Sequence, residues 1–162
     1  MAKSYGGLRP SVTVSPQEIQ NFVDTTLSDG LKRGKSISIG ELNQKLVKNL
    51  KQHKINVVNK EIRLTDDTVV KYIKHPKNEK GATLPFNRYR MLKNLVYNPE
   101  HIYLQQDTSV LVYTRKYNND KIVKAVIHPN FKNKKSIFCK LKSIGVVNRS
   151  DMNNNKQYKK IK

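Results

Sequence analysis

The sequence predicts an α+β fold, with N-terminal helices packed on one face of a four-stranded antiparallel β-sheet meander. Three observations carry that expectation. The first hundred residues hold several helix-start signatures, each followed by apolar residues at helical spacing. From His101 the apolar period falls from 3.6 to 2, the period of a strand. Short, turn-rich connectors join the period-2 segments, and such connectors suit antiparallel neighbours, because a parallel return needs a long crossover.

Residues 1–14 are expected to form a flexible arm. Ser15-Pro16-Gln17-Glu18 then reads as a helix start: Ser as N-cap, Pro at the first helical position, Glu closing a capping box. Ile19, Phe22, Val23 and Leu27 continue at helical spacing, and Gly30 supplies the stop. After a basic loop over 31–37, Ser38-Ile39-Gly40-Glu41 reads as a second capping box, opening a helix whose apolar face is Leu42, Leu46, Val47 and Leu50. These two helices are expected to make an accessory helical hairpin over residues 15–54.

Residues 55–64 read as extended. Thr65 can cap a third helix, whose positive end suits Asp66 and Asp67 and whose apolar staple is Leu64 on Val69. Pro76 ends it near Lys74-His75, because the residue before a proline avoids helical geometry. A polar loop over 77–85 leads to a fourth helix over 86–97, closed by Asn98-Pro99. Strand candidates follow at 101–105, 109–115, 121–128 and 135–142. Residues 149–162, rich in Asn and Lys and without periodicity, are expected to be a basic disordered tail.

Charge points to a partner class. The chain holds 32 Lys and Arg against 12 Asp and Glu, a net charge of +20 on 162 residues. Such an excess weakens the folded state through self-repulsion, and it favours a polyanionic partner over a neutral one. No apolar run approaches the roughly 20 residues that span a bilayer, and Met1–Gly7 carries no secretory h-region, so no membrane partner is expected. The expected compartment is the cytoplasm, the protein's own or that of a cell to which it is delivered. Cys139, the only cysteine, alternates with Ile137 and Leu141 and reads as a small core residue. Neither metal-ligand spacing nor a paired-acid site is present, and no cofactor or metal is expected.

The cations concentrate where the strands lie: residues 115–142 contain nine Lys or Arg and one acid, Asp120. An antiparallel sheet covered by helices on one face leaves the other free. Alternation sends Ile122, Lys124, Val126 and His128 to that face from the third strand. Ser136, Phe138, Lys140 and Lys142 reach it from the fourth. With Tyr113 and Arg115 from the second strand and Lys71, Lys74 and Arg88 from the helices, these residues suit a phosphate backbone and splayed bases. His75, at a helix end beside Lys71 and Lys74, is the candidate base, since neighbouring cations disfavour its protonated form. His53, His101 and His128 make weaker candidates.

The run Leu64-Thr65-Asp66-Asp67-Thr68 … Lys74-His75-Pro76, then Tyr89-Arg90-Met91-Leu92 … Asn98-Pro99-Glu100-His101-Ile102, then Val110-Leu111-Val112-Tyr113 and Lys121-Ile122-Val123-Lys124-Ala125-Val126, resembles the phage-associated nuclease-like domains of the barnase–EndoU–colicin–RelE group. The resemblance spans about residues 62–142, within a nuclease-like α+β domain at 55–148. It implies N-terminal helices on a four-stranded antiparallel sheet and an endoribonuclease-like site, with His75 as acid/base and Lys124, Ser136 and Lys140 as the other catalytic and phosphate-contacting residues.

The resulting expectation is a metal-independent endoribonuclease, toxin-like or of phage or mobile-element kind, cleaving RNA by 2′-hydroxyl attack on the adjacent phosphate. Its partners would be RNA, tRNA included, or another nucleic acid, and an acidic antitoxin or immunity protein. The alternative is a non-catalytic nucleic-acid-binding protein of phage or mobile-element origin. A partner-contacting adaptor is a third reading. An ADP-ribosyltransferase is disfavoured, because the late strands carry no Glu-x-Glu acid.

Overall fold

The computed structural model describes residues 14–74, 83–105, 107–134, 136–153 and 158–161. Helix α1 (Pro16–Asp29) forms as its start signals predict. The Ser15 hydroxyl accepts from the Glu18 amide at 3.1 Å, and Gly30 closes the helix in the left-handed region at φ 70°.

The second helix start is a correction. Ser36–Glu41 is a strand, β1, and helix α2 (Gln44–Gln52) begins later, capped by Asn43, whose side chain accepts from the Leu46 amide. Ser38-Ile39-Gly40-Glu41 satisfies two patterns at once. It spaces Ser and Glu as a capping box does, and it alternates as a strand does. The strand wins because β1 finds a partner, pairing antiparallel with β2 (Glu61–Thr65). Gly40 is required there: it sits at φ 152°, and a Cβ would collide with the Val96 side chain packed over it.

Helix α3 (Asp66–Lys74) follows β2 directly. A 3-10 helix, Phe86–Met91, runs into α4 (Leu92–Tyr97) where one continuous helix was expected. Four strands then succeed one another: β3 (His101–Gln105), β4 (Val110–Lys116), β5 (Lys121–Lys132) and β6 (Ile137–Asn148). A second 3-10 turn, Arg149–Met152, and a three-residue strand, β7 (Tyr158–Lys160), give order to part of the expected disordered tail.

The expected four-stranded antiparallel meander is therefore also corrected. The sheet has seven strands in the order β1-β2-β6-β5-β4-β3-β7, and it is mixed, because β2 runs parallel to β6. The meander β3–β6 sits inside it with every neighbour antiparallel. A meander alone would leave two edges of unpaired backbone. Here β2 covers part of the β6 edge, and β7 covers β3.

One core lies between the sheet and the helices. It joins Ile19 and Val23 of α1, Leu46 and Leu50 of α2, Val69 and Tyr72 of α3, and Leu92 and Leu95 of α4 to Ile62, Leu64, Leu111, Tyr113, Val123, Ala125, Cys139 and Leu141 from the strands. Buried Gln20 fastens α1 to the first 3-10 helix. Its amide donates to the Phe86 carbonyl at 2.8 Å and its carbonyl accepts from the Arg90 amide at 3.2 Å. Cys139 is fully buried, and burial pushes its thiol up to about 12, so it stays protonated and unreactive.

Candidate functional site

The sheet face turned away from the helices divides into two halves. Over β3, β4 and the first part of β5 it is closed by the chain's own C-terminal segment. Met152 and Tyr158 lie on Val112, Ile122 and Val147 in a second small core, with Tyr103 and Val126 against it. Over β1, β2, the first part of β6 and the far end of β5 it is open.

What shapes the open half is the way β6 finds partners. Only Cys139 and Lys140 of β6 pair with β2, at Ile62 and Arg63. Past that point α3 takes the place of a strand. Thr68 donates to the Leu141 carbonyl at 3.0 Å, Lys71 donates to the Lys142 carbonyl at 3.0 Å, and the Tyr72 hydroxyl accepts from the Ile144 amide at 2.9 Å. These three residues share one helix face, so α3 satisfies an edge that would otherwise be bare. They also bring Lys71 to a β-bulge, where Val126 pairs with Ser143 and Ile127 with Leu141, leaving Lys142 as the extra residue.

Around that bulge the cations converge. Lys140 stands directly opposite His128 across β5 and β6. Its ammonium donates to Asp67 at 2.7 Å and lies 4.6 Å from the centre of the Phe131 ring. Phe131 meets Phe138 at 5.6 Å and the His128 ring at 6.0 Å. A second irregularity in β5 turns Phe131 inward to this group. Asn130 there adopts a left-handed conformation, and its side chain accepts from the Val58 amide and donates to the Asn56 carbonyl.

The charges tune one another. Burial and the charges of Lys142 and Lys140 lower the His128 pKa from its ordinary 6.5, favouring the neutral imidazole. Burial and the Lys140 charge likewise lower the pKa of Lys71, against the opposing pull of Asp67. At Asp67 burial works to raise the pKa, but hydrogen bonds from Lys140 and Thr65 outweigh it and hold the carboxyl below its usual value.

Beside this cluster, across Phe138 and Arg63, lies a cleft of about 630 Å³. Ser36, Asn59, Glu61, Arg63, Ser136 and Phe138 line it. Arg63 is nearly buried. Its guanidinium donates to the Ser36 hydroxyl at 2.8 Å, to the Ser36 carbonyl at 3.2 Å and to Glu61 at 2.8 Å.

The residues expected from the sequence fall into several places. Lys71, Phe138, Lys140 and Lys142 come together at the bulge. Lys124 does not join them: it lies in the closed half, donating to the Tyr158 hydroxyl at 3.0 Å with its ammonium 5.3 Å from that ring. Ser136 is exposed at the β5–β6 turn, bonded to Asn133 and lining the cleft mouth. Tyr113 is corrected from an exposed stacking residue to a core one. It points to the helix side and is fully buried, so it has no surface to offer a base. Arg115 shares that side at the sheet's rim, where it donates to the Asn98 carbonyl. Arg88 is exposed on the first 3-10 helix, and Lys74 is exposed at the end of α3. His75 lies outside the described residues.

Sequence reasoning passed over Arg63, Glu61, Asp67 and Phe131, and it ranked His128 low. Parity carried a usable signal for two of them: Arg63 stands between the inward Ile62 and Leu64, and His128 was already on the outward side of its strand. Among the described residues no group of three or more His, Cys, Asp or Glu could hold a metal ion, and no helix is long and apolar enough to cross a membrane. Compared with protein-family models, curated proteins and solved structures, the chain matches none.

Proposed function

We propose that this protein binds single-stranded nucleic acid on the open half of the outer sheet face. The observation that carries the reading is the convergence of Lys71, Lys140 and Lys142 with the aromatic pair Phe131 and Phe138 on one patch. Lysines neutralise phosphates and release counterions, and the part-exposed Phe131 ring, resting on the buried Phe138, offers a face to a base. Lys140 is already held in place by Asp67 and Phe131, so binding a phosphate costs it little further side-chain ordering. Titrating a labelled single-stranded RNA at several salt concentrations tests the reading. Three neutralised phosphates give a slope of log K on log salt of about −2. Absence of binding, or binding indifferent to salt, overturns it.

A second reading, a metal-independent endoribonuclease, is favoured by one observation: His128 is an imidazole kept neutral inside a lysine cluster. Such a group can take the proton of a ribose 2′-hydroxyl as it attacks the adjacent phosphate, while Lys140 and Lys142 offset the charge that develops on the phosphate oxygens. The Lys71 ammonium, made more acidic by its surroundings, would serve as the acid that protonates the departing 5′-oxygen. An acidic antitoxin or immunity protein would meet the same lysines. Incubation with RNA in chelator decides this reading: cyclic phosphate ends that vanish in His128→Ala support it, and intact RNA leaves binding alone.

A further inference from the structure

The cleft beside the lysine cluster differs from it in charge, and that difference suggests a division of labour. At the bulge, Lys71, Lys140 and Lys142 face a single carboxylate, Asp67. In the cleft, Glu61 is paired with the nearly buried guanidinium of Arg63, and the exposed Lys134 is the one further charged residue that lines it. A phosphate beside Glu61 would be repelled by its carboxylate, whereas a neutral group would not be. Glu61 and Arg63 together present an acceptor beside a donor, the complement of a nucleobase edge. Phe138, itself buried, lines the cleft and packs on Phe131 in the cluster.

Two further details fit an occupant of this kind. The volume, about 630 Å³, falls in the range of small-molecule sites and exceeds a single base, leaving room for the attached ribose. Along β6, Phe138 and Lys140 stand one two-residue step apart, roughly 6.6 Å, a stride comparable to one nucleotide of an extended strand.

We infer that the cleft receives an unpaired nucleobase while the adjacent Lys71–Lys140–Lys142 cluster holds its phosphate, so that the protein reads bases and not only backbone charge. This rests on the nucleic-acid-binding reading above and adds a base subsite to it. A duplex, whose base edges are engaged in pairing, cannot place a base in the cleft.

Two labelled strands of about ten nucleotides, a length within the usual single-strand site sizes, separate the two ideas. One is RNA, and the other is the same sugar-phosphate backbone without bases. The intact strand is expected to bind about tenfold or more tightly than the abasic one. Ser136→Leu, which fills the cleft mouth from an exposed position, is expected to close that gap while leaving abasic binding unchanged. Glu61→Gln, which removes the cleft's carboxylate at constant size, is the second variant and guards against distortion of the turn at 133–136. Equal affinity for both strands, or a gap that survives both variants, overturns the base subsite and leaves the binding reading standing. Failure of both strands to bind overturns both.

Discussion

The two halves of the outer sheet face share β5 and β6 and differ in what lies on top of them. On the closed half, Val112, Ile122 and Val147 are apolar and meet Met152 and Tyr158, and Lys124 there is folded under a tyrosine ring. On the open half the corresponding positions are His128, Lys140 and Phe138, and polar side chains from α3 arrive at the β6 edge. The difference shows that a basic sheet face need not be a binding face throughout. Apolar positions recruit a cover from the chain itself, since leaving them in water costs about 25 cal/mol per Å². Charged positions repel such a cover and stay available.

That contrast can be broken most severely at Tyr158. Truncating it to Ala removes the lid of the closed half and is expected to cost about 2–4 kcal/mol in stability, read as a lower denaturant midpoint. RNA affinity in buffer should stay within about twofold if the halves act independently. Gly40→Ala probes the support under the open half, where α4 packs on β1. The clash with Val96 and the strained φ together predict a loss of about 1–3 kcal/mol by the same measurement.

Binding comparisons give smaller energies. Lys142→Glu should lower affinity for single-stranded RNA about tenfold at moderate salt and reduce the salt slope by about 1. Lys124→Met, in the closed half, should do neither, since Lys124 is engaged by Tyr158. Equal effects of the two substitutions would erase the distinction between the halves.

The smallest effect expected is on pH dependence. Burial and two lysines hold the His128 pKa below 6.5 in the free protein. Bound phosphates offset those lysines and raise it, so binding takes up a proton. Affinity should therefore rise as pH falls through about 6.5 toward the lowered pKa of the free protein, and be flat well above it. A titration series at fixed salt reads this, and His128→Asn should flatten the curve.

How legible was this in the sequence? The strand alternation that placed Val123, Ala125 and Ile127 inward and Lys124 and His128 outward holds in the structure. For β4 it could not decide. Val110-Leu111-Val112-Tyr113 is apolar on both parities, because both of its faces are buried, and so Tyr113 could be assigned to the wrong side. At Ser38-Ile39-Gly40-Glu41 local signals conflicted, and only pairing with β2 resolved them. The site was legible in part. Lys140, Lys142, Lys71 and Phe138 could be named from charge and parity, whereas nothing local linked Lys140 to Asp67 or set Lys124 apart under Tyr158.

By itself the sequence determined what short-range physics controls: the α1 start at Ser15 and Pro16 and its stop at Gly30, the end of the last helix before His101, the change of period there, and the antiparallel order of β3 to β6. Caps, turns and alternation act within a few residues, so they can be read from a few residues. Tertiary structure alone decided the parallel pairing of β2 with β6, the docking of α3 along the rest of that edge, the β7 cover and the meeting of Lys71, His128 and Lys140. Those contacts join segments up to 77 residues apart, as at Ile62 and Cys139. Their energies depend on which edges and apolar faces remain uncovered once the local elements exist, and that is a property of the assembled sheet.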